Sequence, residues 1–271
     1  MHCKYVAAIA LTASAGAAHA QQDWGLISTA GDPDPVTVFD LANPGASQST
    51  LGFVDGNFNR GMDFVTQNSF YYYVSTDTLN QPGDRGLWFF DNGVNTQLAT
   101  VDFSDAGDGD ATFDPSSNTF YVTVNDQDDI AGDSLYAWTN LNGTPTFTEI
   151  GETGLGGFIG IAVNPADGLL YGYDTDTDAL YTIDTTDGSL SLIGESGLPL
   201  GFIGGMDFSA DGSTLLLSQG SALYTVDIAT GALTDAGDIG LNSSALSFRV
   251  PTPGTAALLG LGGLAAVRRR R

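Results

Sequence analysis

A short block recurs along this chain at intervals of 40 to 50 residues. Gly61-Met62-Asp63-Phe64 returns unchanged as Gly205-Met206-Asp207-Phe208, and Asp110–Phe113, Gly160–Val163 and Ser244–Phe248 stand in the same role. The last residues of this column, Phe64, Phe113, Val163, Phe208 and Phe248, are 49, 50, 45 and 40 residues apart. A second column follows each block after a polar turn: Phe70-Tyr71, Phe120-Tyr121, Leu170-Tyr171 and Leu215-Leu216. A third begins at Leu87, Leu135, Leu180 and Leu223, and each is followed by a glycine (Gly93, Gly143, Gly188, Gly231) and a fourth apolar stretch such as Ser189–Gly194. Alternating, aromatic and β-branched runs joined by Gly, Asn and Asp turns predict four-stranded antiparallel units repeated around an axis, a β-propeller. No helical period appears between the ends, which removes an α/β fold.

The fragments at the two ends of the repeat fix the blade count. Val36–Asp40, with Gly45 after it, reads as a third strand whose blade lacks a first, and Ser244–Phe248 reads as a first strand with no successors. Joined, they make one blade, so the expected domain (21–249) is a single all-β, five-bladed propeller closed by a one-plus-three clasp. Its blades are 244–249 with 24–54, then 60–103, 110–150, 158–195 and 203–241. Closure leaves no exposed sheet edge to recruit other chains. The turns Asn164-Pro165-Ala166-Asp167-Gly168 and Ser209-Ala210-Asp211-Gly212, together with Tyr181-Thr182-Ile183-Asp184 and Tyr224-Thr225-Val226-Asp227, resemble the extracellular bacterial propellers of the YVTN and related repeat classes over about 90 residues. That resemblance implies a fold and leaves the activity open.

Both ends read as addresses. Residues 1–20 carry Lys4, the apolar stretch Tyr5–Ala18 and the small-x-small pattern Ala18-His19-Ala20, the layout of a secretory signal peptide cleaved after Ala20. At the other end Val250-Pro251-Thr252-Pro253 precedes an apolar run, Ala256–Val267, and the four arginines Arg268, Arg269, Arg270 and Arg271. As a helix at about 1.5 Å per residue that run covers only ~20 Å of a ~30 Å hydrocarbon core. This arrangement resembles the PEP-CTERM sorting signal, with Thr252 where the family has glutamate. The resemblance implies the export machinery and an exosortase-type processing enzyme as partners, and transient inner-membrane insertion with the basic end toward the cytoplasm. Release would then follow to the cell surface, outer envelope or extracellular matrix.

Composition matters once both ends are set aside. Residues 21–250 hold 32 acids against Arg60, Arg85 and Arg249, a net charge of −29, with no lysine, histidine or cysteine. A catalytic histidine, a thiol nucleophile, a Schiff-base lysine, a disulfide and a Cys/His zinc site are thereby excluded from this domain. Nucleic acid is excluded as a partner for want of phosphate-binding cations. Two acidic stretches offer oxygen donors that suit calcium: Asp126, Asp128 and Asp129 in one, Asp174, Asp176 and Asp178 in the other. The second is no EF-hand, because Ala179 stands where the sixth-position glycine belongs and no glutamate follows at the twelfth. Aspartates that merely stabilise turns are the alternative. The loops that precede first strands, with these acidic loops on the same face, are the expected binding face.

Two functions fit. The first is an exported binding or structural module for extracellular polysaccharide or protein, with calcium as the counterion its charge favours. The second is a carboxylate-dependent glycoside hydrolase, which requires two acids some 5–10 Å apart across a sugar. Only three glutamates are present, Glu149, Glu152 and Glu195, and the last two share one repeat position, as Asp63 and Asp207 share another. Repetition by blade symmetry favours architecture over catalysis, and no catalytic residue is assigned. The aromatic clusters Phe70–Tyr73 and Trp88–Phe90 are expected to fill the space between blades, since alternation turns every second one toward a neighbour.

Overall fold

The computed structural model describes residues 23–28, 33–54, 59–75, 85–101, 109–124, 132–201 and 204–249. Residues 1–20 and 250–271, and with them the signal-peptide and sorting-segment expectations (Ala18, Ala20, Val250 to Pro253 and the terminal arginines), lie outside that set. The described residues form twenty strands in five four-stranded antiparallel sheets. One blade contains β4 (Asn59–Thr66), β5 (Ser69–Val74), β6 (Gly86–Asp91) and β7 (Val94–Thr100), and the next β8 (Ala111–Asp114), β9 (Thr119–Val124), β10 (Ser134–Thr139) and β11 (Thr146–Glu152). Two more follow: β12 (Phe158–Val163), β13 (Leu170–Asp174), β14 (Ala179–Ile183) and β15 (Leu190–Glu195), then β16 (Gly205–Phe208), β17 (Leu215–Gln219), β18 (Ala222–Val226) and β19 (Leu233–Asp238). The fifth blade joins the chain's extremities, with β20 (Ser243–Phe248) innermost beside β1 (Asp23–Ser28), β2 (Asp34–Asp40) and β3 (Ser49–Val54). The five-bladed propeller and its one-plus-three clasp are as the repeat predicts.

The core is five wedges, one between each pair of adjacent blades. Alternation along the strands builds them: Phe70 and Tyr72 pack with Ile27, Val36 and Ala245 of the clasp blade, while Tyr71 and Tyr73 pack with Phe120, Val122 and Trp138 of the next. The aromatic clusters are thus consumed by blade packing. Each outermost strand adds to the wedge through a bulge, because in every blade the pairing of third and fourth strands slips by one residue. The extra residue is apolar each time: Leu51, Leu98, Ile150, Ile193 and Ala236 all pack partly buried into an interblade cluster. A bulge re-aims a side chain that strict alternation would leave in solvent. This explains the repeated Ile-Gly-Glu of β11 and β15. Isoleucine fills the wedge, and a Cβ on Gly151 or Gly194 would come within 2.1 or 2.2 Å of a carbonyl of the next blade. Glu152 and Glu195 stay exposed on the outermost strands.

The glycines of the inner block have a related cause. Gly61 and Gly205 have φ of 77° and 126°, and a Cβ there would meet the backbone nitrogens of Ala111 and Leu246 at 2.1 and 2.5 Å. Only glycine permits both that conformation and that approach. Two inner strands can therefore close onto their neighbours, leaving a narrow axis.

Candidate functional site: an axial pocket floored by carboxylates

The inner strands follow one another around the axis in the order β4, β8, β12, β16, β20. At the third position of the repeated block they carry Asp63, Thr112, Ala162, Asp207 and Ser247. Each polar one ties its blade to the next: Asp63 Oδ2 accepts from Phe113 N (2.7 Å), Thr112 Oγ1 from Val163 N (3.2 Å), Asp207 Oδ2 from Phe248 N (2.7 Å) and Ser247 Oγ from Phe64 N (3.1 Å). At Ala162 the belt has a gap, and there Phe208 N turns to Asp207 Oδ1 of its own strand at 2.7 Å. Two hydroxyls complete the ring. Thr112 donates to Asp63 Oδ2 (3.1 Å), and Ser247 Oγ lies 3.2 Å from Asp63 Oδ1 and 2.8 Å from Asp207 Oδ2.

One level along the axis sits a third acid. Asp110 occupies the column that holds Gly61, Gly160, Gly205 and Ala245 elsewhere, and its buried carboxylate fills the room those small residues leave. Oδ2 accepts from Ile161 N (2.9 Å) and Met206 N (3.2 Å), and Oδ1 from Ala111 N (2.8 Å), so one side chain holds three inner strands. Loss of hydration raises all three acids. Burial carries Asp110 to about 8 despite its hydrogen bonds, and it pushes Asp63 up; Asp207 is raised first by burial and then by the charge of Asp63.

Asp63 and Asp207 form the floor of a cavity of about 270 Å³ that opens where first strands turn into second strands. Its wall is the fourth-position column, Phe64, Phe113, Val163, Phe208 and Phe248, and its rim is Val65, Pro115, Pro165 and Ala210. This is the opposite face from the acidic loops on which the sequence placed binding. Asp126, Asp128 and Asp129 lie outside the described residues. Asp174, Asp176 and Asp178 surround the β13–β14 turn. There Asp174 accepts from Gly157 N (3.0 Å), Thr177 N (2.8 Å) and Thr177 Oγ1 (2.6 Å), Asp178 Oδ1 from Leu200 N (2.9 Å), and Asp176 is exposed. Among the described residues no three His, Cys, Asp or Glu side chains converge on a metal position. Many of the remaining acids are turn formers: Asp167, Asp184, Asp211 and Asp227 each accept from the backbone two residues on, at 2.8 to 3.0 Å.

For the hydrolase expectation the result is mixed. Asp63 and Asp207 share one hydroxyl, so the two oxygens facing it are no more than about 6 Å apart, within glycosidase range. They are nonetheless blade-equivalent, buried and bonded to the frame. The glutamates are distant from this floor: Glu149, Glu152 and Glu195 are exposed on outer strands. Sequence reasoning paired Asp63 with Asp207 but missed Asp110 and Ser247. Asp110 had a signal, an acid in a column otherwise of glycine and alanine; Ser247 had none.

Fold and site together define a five-bladed β-propeller with an axial pocket on its first-to-second-strand face. Residues 162–248, about a third of the chain, match a family described as a domain of unknown function (DUF4394). No curated protein matches the chain in sequence. Among solved structures it is similar to a chain in the crystal structure of a nidogen/laminin complex, at 13% identity over 85% of this chain and 98% of that one, with a TM-score of 0.57. It is also similar to a gluconolactonase from Xanthomonas campestris, at 15% identity over 83% and 78%, with a TM-score of 0.51. At such identities the likeness is one of fold.

Proposed function

We propose that this protein is an exported binding module whose axial pocket takes an uncharged, partly apolar group of an extracellular polysaccharide. The observation that carries this reading is the division of labour in the pocket. The wall is apolar, while all four oxygens of the floor acids already have hydrogen-bond partners on the inner strands. Such a floor can orient a hydroxyl but has no carboxylate free to act as nucleophile. A domain of net charge −29 with no base in the pocket lining repels anionic polymers, which favours a neutral one. The fold does not choose the ligand, since propellers serve unrelated functions.

A polysaccharide-array screen of residues 21–250 supplies the ligand, and Ala210→Arg supplies the control. Ala210 is exposed on the rim. An arginine there should obstruct the mouth and lower affinity tenfold or more at unchanged melting temperature. Unchanged affinity in that variant would show that the ligand sits elsewhere. The second reading, a glycoside hydrolase, rests on the close approach of Asp63 and Asp207. It predicts reducing ends released from the bound polymer and lost in Asp207→Asn; a polymer recovered intact removes it.

Export belongs to the same proposal. Mass spectrometry of the protein recovered from the culture medium should find Gln21 as the first residue and no arginine tail. A released chain that still carries Arg268–Arg271 would refute processing by sorting.

A further inference from the structure

Ser247 has a single hydroxyl hydrogen and two carboxylates within reach. Its Oγ accepts from Phe64 N at 3.1 Å and stands 2.8 Å from Asp207 Oδ2 and 3.2 Å from Asp63 Oδ1; the alternative acceptor, Phe248 O, is farther at 3.4 Å. With both acids ionised, one hydrogen would have to serve two anions on the floor of an apolar cavity. The acids already differ in what they accept. Both oxygens of Asp207 receive a backbone N–H at 2.7 Å, from Phe208 and Phe248, whereas Asp63 receives one at that distance only on Oδ2, from Phe113, and shares Phe64 N with Ser247, which its Oδ1 faces.

We propose that Asp63 and Asp207 share one proton through Ser247, and that this proton is the latch of the propeller. The chain of donors runs from Asp63 Oδ1–H to Ser247 Oγ, and from Ser247 Oγ–H to Asp207 Oδ2. Every hydrogen then has an acceptor, and the pair carries one negative charge instead of two. Asp63 lies on β4, Asp207 on β16 and Ser247 on β20, so the bridge spans three consecutive inner strands and fixes the strand that closes the ring. Removing the proton to solvent through the pocket leaves two buried anions whose facing oxygens are no more than about 6 Å apart. Among the described residues no cation ranks with the leading influences on either acid. Arg60 lies toward the other end of β4. Arg249, just past β20, is turned to Gln67 O, Asn68 Oδ1 (2.8 Å) and Asp23 Oδ2 (3.6 Å). The remaining titratable group facing the pair is Asp110, also acidic; β12 contributes only Ala162. The strand best able to relieve the repulsion is β20, which belongs to its blade by pairing alone and is joined to it by no turn. The latch stands independently of what the pocket binds.

Hydrogen exchange read by mass spectrometry tests this, with rates corrected for intrinsic pH dependence. Between pH 6 and pH 9 protection of β20 should fall at least tenfold more than that of β13 and β14. Asp63→Asn should abolish the difference, because its amide nitrogen donates to Ser247 as the protonated acid does while its oxygen keeps Phe113 N and Thr112. Equal loss of protection in β20 and in β13 and β14, or the wild-type pH response retained in Asp63→Asn, would overturn the latch. Carboxyl 13C shifts of the unmodified protein give a check that needs no variant. Asp63 and Asp207 should titrate as a linked pair in two separated steps, and independent titration of both near pH 4 would refute the shared proton.

Discussion

Raising the pH from 5 to 9 will lower the melting temperature of this protein by about 10 °C or more, the reverse of a stability that rests on exposed ion pairs. An unfolded chain ionises its aspartates near pH 4. Folding holds the proton of Asp110 up to about 8 and raises Asp63 and Asp207, chiefly because burial strips their carboxylates of water. Below the unfolded value both states are protonated and the stability is fully present. As the pH climbs from there toward 8, the unfolded chain releases protons that the folded one keeps. Each retained proton then costs up to about 1.4 kcal/mol per pH unit, until the buried groups themselves ionise. The loss is on the order of 5 kcal/mol, and at roughly 2–4 °C per kcal/mol for a domain of this size it is readily measured. Exposed aspartates act in the opposite sense: Ser189 holds Asp187 low and Ser213 holds Asp211 low, and their contribution disappears as the pH falls below about 4. Stability should therefore peak in weak acid. Thermal scans at unit intervals from pH 4 to pH 9 test this, and a melting temperature that rises or stays flat between 5 and 9 would contradict it. Asp110→Asn should flatten the fall, since it removes the carboxyl that burial raises to about 8.

Ending the chain before Ser243 should abolish cooperative folding, whereas ending it at Arg249 should leave the melt of the propeller intact. The six residues of β20 bury Ala245, Leu246 and Phe248, pair along β1 from Trp24 to Ser28, and supply Ser247 to both floor acids. Burial of each large apolar side chain is worth about 1.5–3 kcal/mol. Partners orphaned inside the protein, here Phe64 N and the carboxylates of Asp63 and Asp207, cost about 1–3 kcal/mol each. Together these rival the ~5–15 kcal/mol by which domains are stable. The truncation also opens the flanks of β1 and β4, and an exposed strand edge invites association. Circular dichroism melts and size-exclusion chromatography of the two chains distinguish the outcomes. A cooperative melt of the shorter chain within a few degrees of the longer one would show that the clasp is dispensable.

Much of the fold was legible because a propeller blade is a local object. Its four strands alternate with period two, its turns announce themselves through Asp, Asn and Gly, and columns such as Phe64, Phe113, Val163, Phe208 and Phe248 repeat the same demand at each blade. The incomplete blade at each end gave the clasp. The identical glutamates of β11 and β15 were readable as edge residues for the same reason.

The amino-acid sequence by itself determined the strand order, the blade count, the closure and, for residues 21–250, the absence of histidine, lysine and cysteine chemistry, since each follows from composition, from the pattern of one repeat or from the incomplete blades at its two ends. Only the tertiary structure decided that the cavity opens on the first-to-second-strand face, that Asp110 holds three inner strands at the axis, and that Ser247 stands between Asp63 and Asp207. Those last two contacts join residues 184 and 40 positions apart. Ring closure brings them together, and no spacing along the chain records how far each inner strand leans toward the axis or which hydroxyl comes to stand between two carboxylates.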